Sequence, residues 1–107
     1  MTTLPIYQNY KFYYHIYLDD IDFKFTFKWN IIANTFLFSM YKDEDIIFLN
    51  TALVPNVDFL KVSGIGELGK LILLDTQDAS QAEPQVIEDF KSRFLLIYSN
   101  KEELNEQ

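Results

Sequence analysis

Between Ile21 and Trp29 every odd position is apolar (Ile21, Phe23, Phe25, Phe27, Trp29) and every even one is polar (Asp22, Lys24, Thr26, Lys28). A period of two sends successive side chains to opposite faces of a strand, whereas a helix would scatter the same residues around its circumference. Upstream, Phe12, Tyr14, Ile16 and Leu18 alternate with Tyr13, His15 and Tyr17, and Asp19-Asp20 separates the two runs as a short turn. Lys11–Leu18 and Ile21–Asn30 therefore predict a long antiparallel hairpin with one strongly aromatic face. A two-stranded ribbon cannot bury such a face alone, so the remaining strands must fold over it.

The rest of the chain supplies them. Residues 30–34 read as a connection, with Asn34 suited to a turn conformation. Alternation resumes over residues 35–41, with Phe36, Phe38 and Met40 on one side and Leu37, Ser39 and Tyr41 on the other. The second side is only partly polar, so it is either covered by the chain or met by a partner. An acidic turn, Lys42-Asp-Glu-Asp45, precedes a short apolar strand at residues 46–49, which completes a meander. Residues 51–60 are apolar in part, but Pro55 and Asn56 interrupt any ladder, which predicts an extended or 3₁₀-like cover for the open end of the sheet. All three glycines fall at Gly64, Gly66 and Gly69 and predict a tightly curved loop. Residues 71–74 form a continuous apolar run, expected to be a strand covered on both sides. Residues 76–83 read as a polar loop, 84–90 as one or two helical turns facing Val86, Ile87 and Phe90 inwards, and 92–98 as the closing strand.

These elements predict an all-β domain of about six to seven strands, either a small antiparallel barrel or a two-layer sandwich, with at most one short helix. The expected division is an N-terminal segment over residues 1–10, where Pro5 argues against regular pairing, a single β-domain over 11–98 and a flexible tail over 99–107. The expected core is Ile21, Phe23, Phe25, Phe27, Trp29, Phe36, Phe38, Leu71, Leu73, Phe94 and Leu96. The 107 residues are enough for a core without covalent staples, and the β-forming residues far outweigh Ala, as a sheet protein requires.

Charge and chemistry narrow the function. A net charge of −7, with nine basic residues scattered along the sequence, disfavours a nucleic-acid groove. The absence of cysteine excludes a disulfide scaffold, a thiolate metal site and a cysteine nucleophile. The start, Met-Thr-Thr-Leu-Pro, lacks a basic region followed by an apolar core, and no apolar run approaches the ~20 residues that span a bilayer, so a soluble protein without a membrane partner is expected. His15 is the only histidine and has no visible nucleophile or triad around it. The carboxylates at Asp19, Asp20 and Asp22 and at Asp43, Glu44 and Asp45 do not follow the spacing of a calcium loop. Gly64-Ile-Gly66-Glu-Leu-Gly69 matches the dinucleotide fingerprint literally, but a strand follows it where the fingerprint requires a helix. No catalytic residue, metal ligand or cofactor is therefore expected.

A partner surface is the more promising reading. Tyr13, Tyr17, Leu37 and Tyr41 occupy the face opposite the aromatic core, and tyrosine buries area at an interface while keeping its hydroxyl satisfied. With Leu53, Val57 and Phe59 from the following segment they make up the candidate interface. An alternative is a single-stranded nucleic-acid module on a barrel resembling an oligonucleotide-binding fold, which would expose aromatics for base stacking. A small hydrolase around His15 is a third option.

The order of features resembles a known family. The paired amino-terminal strands, Phe27-Lys-Trp29-Asn30, and the next aromatic strand with its acidic turn carry the likeness. So do Leu53-Val-Pro-Asn-Val-Asp-Phe-Leu60, Gly69-Lys-Leu-Ile-Leu-Leu-Asp75 and Arg93-Phe-Leu-Leu-Ile-Tyr98. Together, over about residues 10–98, they resemble the baseplate plug proteins of contractile-tailed bacteriophages, including cyanophage-type baseplates. The likeness departs in the turns, where Asp43-Glu44-Asp45 stands in place of a common aspartate-glycine. The resemblance implies a non-enzymatic virion component near the axis of the tail baseplate, made in the host cytoplasm. The implied partners are hub, tube or spike proteins and further copies of the chain.

Overall fold

The computed structural model describes residues 1–18, 20–76, 87, 90 and 93–100, apart from the Glu67 side chain. Four consecutive strands, β2 (Lys11–Leu18), β3 (Ile21–Asn30), β4 (Thr35–Lys42) and β5 (Asp45–Ala52), form an antiparallel meander in the order β2-β3-β4-β5. A second sheet has the order β1-β7-β6, from β1 (Thr2–Leu4), β7 (Phe94–Ser99) and β6 (Lys70–Asp75). Between β5 and β6 lie a four-residue helix, α1 (Phe59–Val62), and a 3₁₀ turn at Gly66–Leu68.

The turns explain the meander. Leu18 pairs with Ile21, which leaves a two-residue connection in which Asp20 is left-handed at φ 63°. Lys42 pairs with Asp45 across a similar turn with Asp43 at φ 56°. Two-residue hairpins favour positive φ because that twist matches the flanking strands, and Asp tolerates it better than bulkier residues. At the β3–β4 end, Asn30 Oδ1 accepts from the N–H groups of Ile32 (3.0 Å) and Ala33 (2.8 Å), and Asn34 closes the loop at φ 54°.

The core lies between the two sheets. On the inward face of the meander the rings of Phe12, Phe27 and Phe38 form a cross-strand stack, with centroids 4.6 and 5.8 Å apart and planes within 17°. Phe23 meets Tyr98 of the opposite sheet at 6.0 Å, and Leu71, Leu73, Phe94 and Leu96 complete that layer from β6 and β7. Each fully buried aromatic or aliphatic side chain contributes roughly 1.5–3 kcal/mol relative to leaving it in water. Ile21 and Trp29, at the ends of β3, are only half-buried against this cluster.

Three points of the expected architecture are decided. First, of the two alternatives the sandwich-like one holds and the barrel does not, because neither sheet closes on itself among the described residues. Second, Thr2–Leu4 is a strand, pairing with Tyr98, Ile97 and Leu96. Pro5 follows the strand and so removes no hydrogen bond from it. Third, β5 runs past residue 49 to Ala52, because register shifts opposite Met40 break the alternation that would have marked it. The helix expected over 84–90 and the loop over 76–83 lie largely outside the described residues, of which Ile87 and Phe90 are buried.

Candidate functional site

Because β3 turns its phenylalanines inward, its even residues must face outward, and the cross-strand register assembles the outer surface row by row. Lys11, Lys28, Leu37 and Ala52 form the first row, and Tyr13, Thr26 and Ser39 the second. His15, Lys24, Tyr41 and Ile46 form the third, and Tyr17 and Asp22 the fourth. Tyr13 and Tyr17 are 66% and 74% exposed, while Leu37 and Tyr41 are half-buried. The Lys24 ammonium lies between two of these rings, 5.2 Å from the Tyr13 centroid and 5.7 Å from that of Tyr41. A cation over a ring face is attracted by its quadrupole, which holds all three side chains in place.

Residues scattered in sequence are thus gathered in space. Three of the nine basic side chains, Lys11, Lys24 and Lys28, share this face, and a groove of about 410 Å³ lies among Lys11, Tyr13, Thr26, Lys28, Leu37 and Asn50. Sequence reasoning had the signal in the even positions of β3 but weighed the lysines by their spread along the chain. It also missed Ile31 and Ile32, 81% and 91% exposed at the tip of the β3–β4 loop. Their bracketing by Asn30 and Asn34 in a hairpin connection was the available clue.

The structure divides the candidate interface residues. Tyr13, Tyr17, Leu37 and Tyr41 share the outer face. Leu53 and Phe59 do not reach a surface: they are 0% and 1% exposed. Leu53 is held beside β4, its N–H donating to the Phe36 carbonyl at 2.9 Å and its own carbonyl accepting from Thr35 Oγ1 at 2.7 Å. Phe59 is driven edge-on against Phe38 at 4.8 Å by α1. Val57 is half-buried against the same core. Assigning an interface role to Leu53 and Phe59 is therefore corrected; they are core.

Nothing in the described residues assembles a reaction centre. His15 Nδ1 lies 3.4 Å from Asp22 Oδ1 and the ring touches Tyr13, which gives no nucleophile–base pair. No group of three or more His, Cys, Asp or Glu among the described residues is placed to hold a metal ion. The glycine motif folds into the 3₁₀ turn and runs directly into β6, so no helix N-terminus faces a phosphate. No helix among the described residues is long and apolar enough to cross a membrane.

The described residues form a small β-sandwich-like protein with an exposed tyrosine- and lysine-bearing sheet face and without a catalytic constellation. Over residues 1–102 the chain matches the family described as "Cyanophage baseplate Pam3 plug gp18", and it belongs to that family. It is a structural, non-catalytic plug protein of the contractile-tail baseplate. No curated protein matches it.

Proposed function

We propose that the chain acts as a connector near the baseplate hub, joining hub, tube or spike proteins through the outer face of its four-stranded sheet, and that several copies assemble together in the virion. It would be made in the host cytoplasm and incorporated into the tail. The observation that carries this reading is the exposure of Tyr13 and Tyr17 beside Leu37, Tyr41 and the lysines, since tyrosine-rich surface is typical of protein contacts. The exposed Ile31-Ile32 loop tip supplies a second apolar contact at one end of the same sheet. Many modest surfaces become a strong joint when repeated around a closed ring.

The nucleic-acid alternative loses support because Phe23, Phe25 and Phe27 are buried and the sheet is open rather than a barrel. The test is the solution mass of the protein alone and mixed with the neighbouring tail-gene products. A stoichiometric complex is expected. Changing Tyr13, Tyr17 and Tyr41 together to serine should abolish it while leaving the β-sheet circular dichroism intact. A complex that survives that triple change would put the contacts elsewhere.

A further inference from the structure

The outer face of the meander is electrically divided. At one end Lys11 stands directly opposite Lys28, with Lys24 farther along β3. At the other end Asp22 lies beside the β4–β5 turn, and these four carboxylates, Asp22, Asp43, Glu44 and Asp45, line one groove of about 480 Å³. The Asp43 N–H donates to the Asp22 carbonyl at 2.8 Å, which fixes the turn against β3.

Both ends break a local rule. Like charges directly opposite one another destabilise a sheet, yet Lys11 and Lys28 are such a pair. Among the described residues Lys11, Lys24 and Lys28 make no ion pair, and of the four carboxylates only Asp22 does, with His15. Lys24, two residues from Asp22 on β3, is held over the Tyr13 and Tyr41 rings, and Lys11 and Lys28 lie too far from the acidic end to pair with it. Asp22 and Lys28 are six residue steps apart on β3, which is about 20 Å at ~3.3 Å per residue, more than twice a physiological Debye length. Local conflicts left uncompensated within a fold are expected where a partner supplies the compensation.

We propose that the partner is a second copy of this chain, with the acidic β4–β5 turn of one copy seated on the Lys11–Lys28 end of the next. This deepens the connector reading and rests on its premise that the outer face is a contact surface. Opposite charges carried at a fixed separation on the same face give each copy both halves of the joint, and the tyrosines between them supply the buried area. A nucleic acid fits less well. A phosphate chain following the lysines along β3 would run into the carboxylates, on a protein of net charge −7.

Two doubly charge-reversed full-length variants test the pairing, Lys11→Glu with Lys28→Glu, and Glu44→Lys with Asp45→Lys. All four positions are exposed, so both variants should keep the parent's circular dichroism. In low salt the wild type is expected to associate, and to dissociate near 0.5 M salt, where the Debye length falls to about 4 Å. Each variant alone should stay monomeric, because the lysine-reversed variant is acidic at both ends and the turn-reversed variant has lost the net negative charge of its turn. An equimolar mixture should regain the wild-type mass, since each variant supplies what the other lacks. The proposal is overturned if the mixture stays monomeric, if either variant associates as the wild type does, or if the wild type binds a single-stranded oligonucleotide that the lysine-reversed variant does not. Entry of either variant into a complex with the tail proteins leaves the connector reading standing while the mass data decide the self-pairing.

Discussion

The Asn50 backbone N–H donates to the Ser39 hydroxyl across 2.9 Å, bridging a break in the ladder between β4 and β5. The register shifts on both sides of Met40, and Asn50 adopts a left-handed φ of 47°. An extra residue in one strand leaves a backbone group without its ladder partner, and here the serine side chain replaces it. That explains why Ser39 can be buried. Ser39→Ala should remove the acceptor and destabilise the fold by about 1–2 kcal/mol, lowering the melting temperature by several degrees. Thermal and urea unfolding would measure it, and a loss below about 0.3 kcal/mol would mean the bond contributes little.

How legible this was in the sequence follows from the same bulge. Where alternation is unbroken, as in β2 and β3, the pattern specified strand, turn and buried face together, because a single-residue slip would expose every phenylalanine. At β5 two extra residues, one on each side of Phe48, shifted the pattern and hid the strand's second half. Residues 2–4 are too short to show a period, and β1 is defined by the neighbour it pairs with. Leu53 and Phe59 looked like surface candidates because nothing local reveals that the chain folds back over β4 there. The lysine face was visible only once register had aligned Lys11 with Lys28.

The Gly69 position is constrained by both conformation and space. Its φ is +133°, and a Cβ there would sit 2.2 Å from the Ser99 carbonyl oxygen and 3.0 Å from Asn100 Cα. Both obstacles are backbone at the β6–β7 junction, so neither can swing aside. Gly69→Ala is expected to cost upwards of about 3 kcal/mol and to separate the ends of β6 and β7. Gly64→Ala, at φ +80° with open space around it, should cost only about 1–2 kcal/mol. Equal effects of the two changes, measured by denaturant unfolding, would contradict the steric argument.

One carboxylate joins the helix to the second sheet. Asp58 Oδ1 accepts from the N–H groups of Leu60 (3.2 Å), Lys61 (3.4 Å) and Leu71 (3.2 Å). It caps α1 and ties β6 to it, so the covering segment and the strand are positioned by one atom. Asp58→Ala is expected to cost about 2 kcal/mol, at the upper end for a cap. Asp58→Asn, which keeps an acceptor oxygen, should recover about half of that loss. Hydrogen exchange at Leu60 and Leu71 should accelerate together in the alanine variant. Acceleration at only one of them would show that the two elements are held independently.

Tyr14 offers a pH-dependent test of the core. Its ring packs between Phe25 and Phe27 on the inward face, 5.8 Å from each, and its hydroxyl is buried with no hydrogen-bond partner among the described residues. Burial, reinforced by the neighbouring Tyr7 hydroxyl, pushes the Tyr14 phenol well above its ordinary value near 10. In the unfolded chain the phenol ionises near pH 10, while in the folded state it keeps its proton to higher pH. The folded state therefore binds more protons above that point, and stability falls as pH rises. The contribution is fully present below about pH 10 and is lost progressively above it. Tyr14→Phe removes both the unpaired hydroxyl and this titration. At neutral pH the variant should be as stable as the parent or up to about 1 kcal/mol more stable, because an unsatisfied buried hydroxyl is unfavourable. Between about pH 9 and pH 11 its melting temperature should fall less steeply than the parent's. Parallel alkaline slopes for the two proteins would show that Tyr14 reaches solvent and ionises without unfolding.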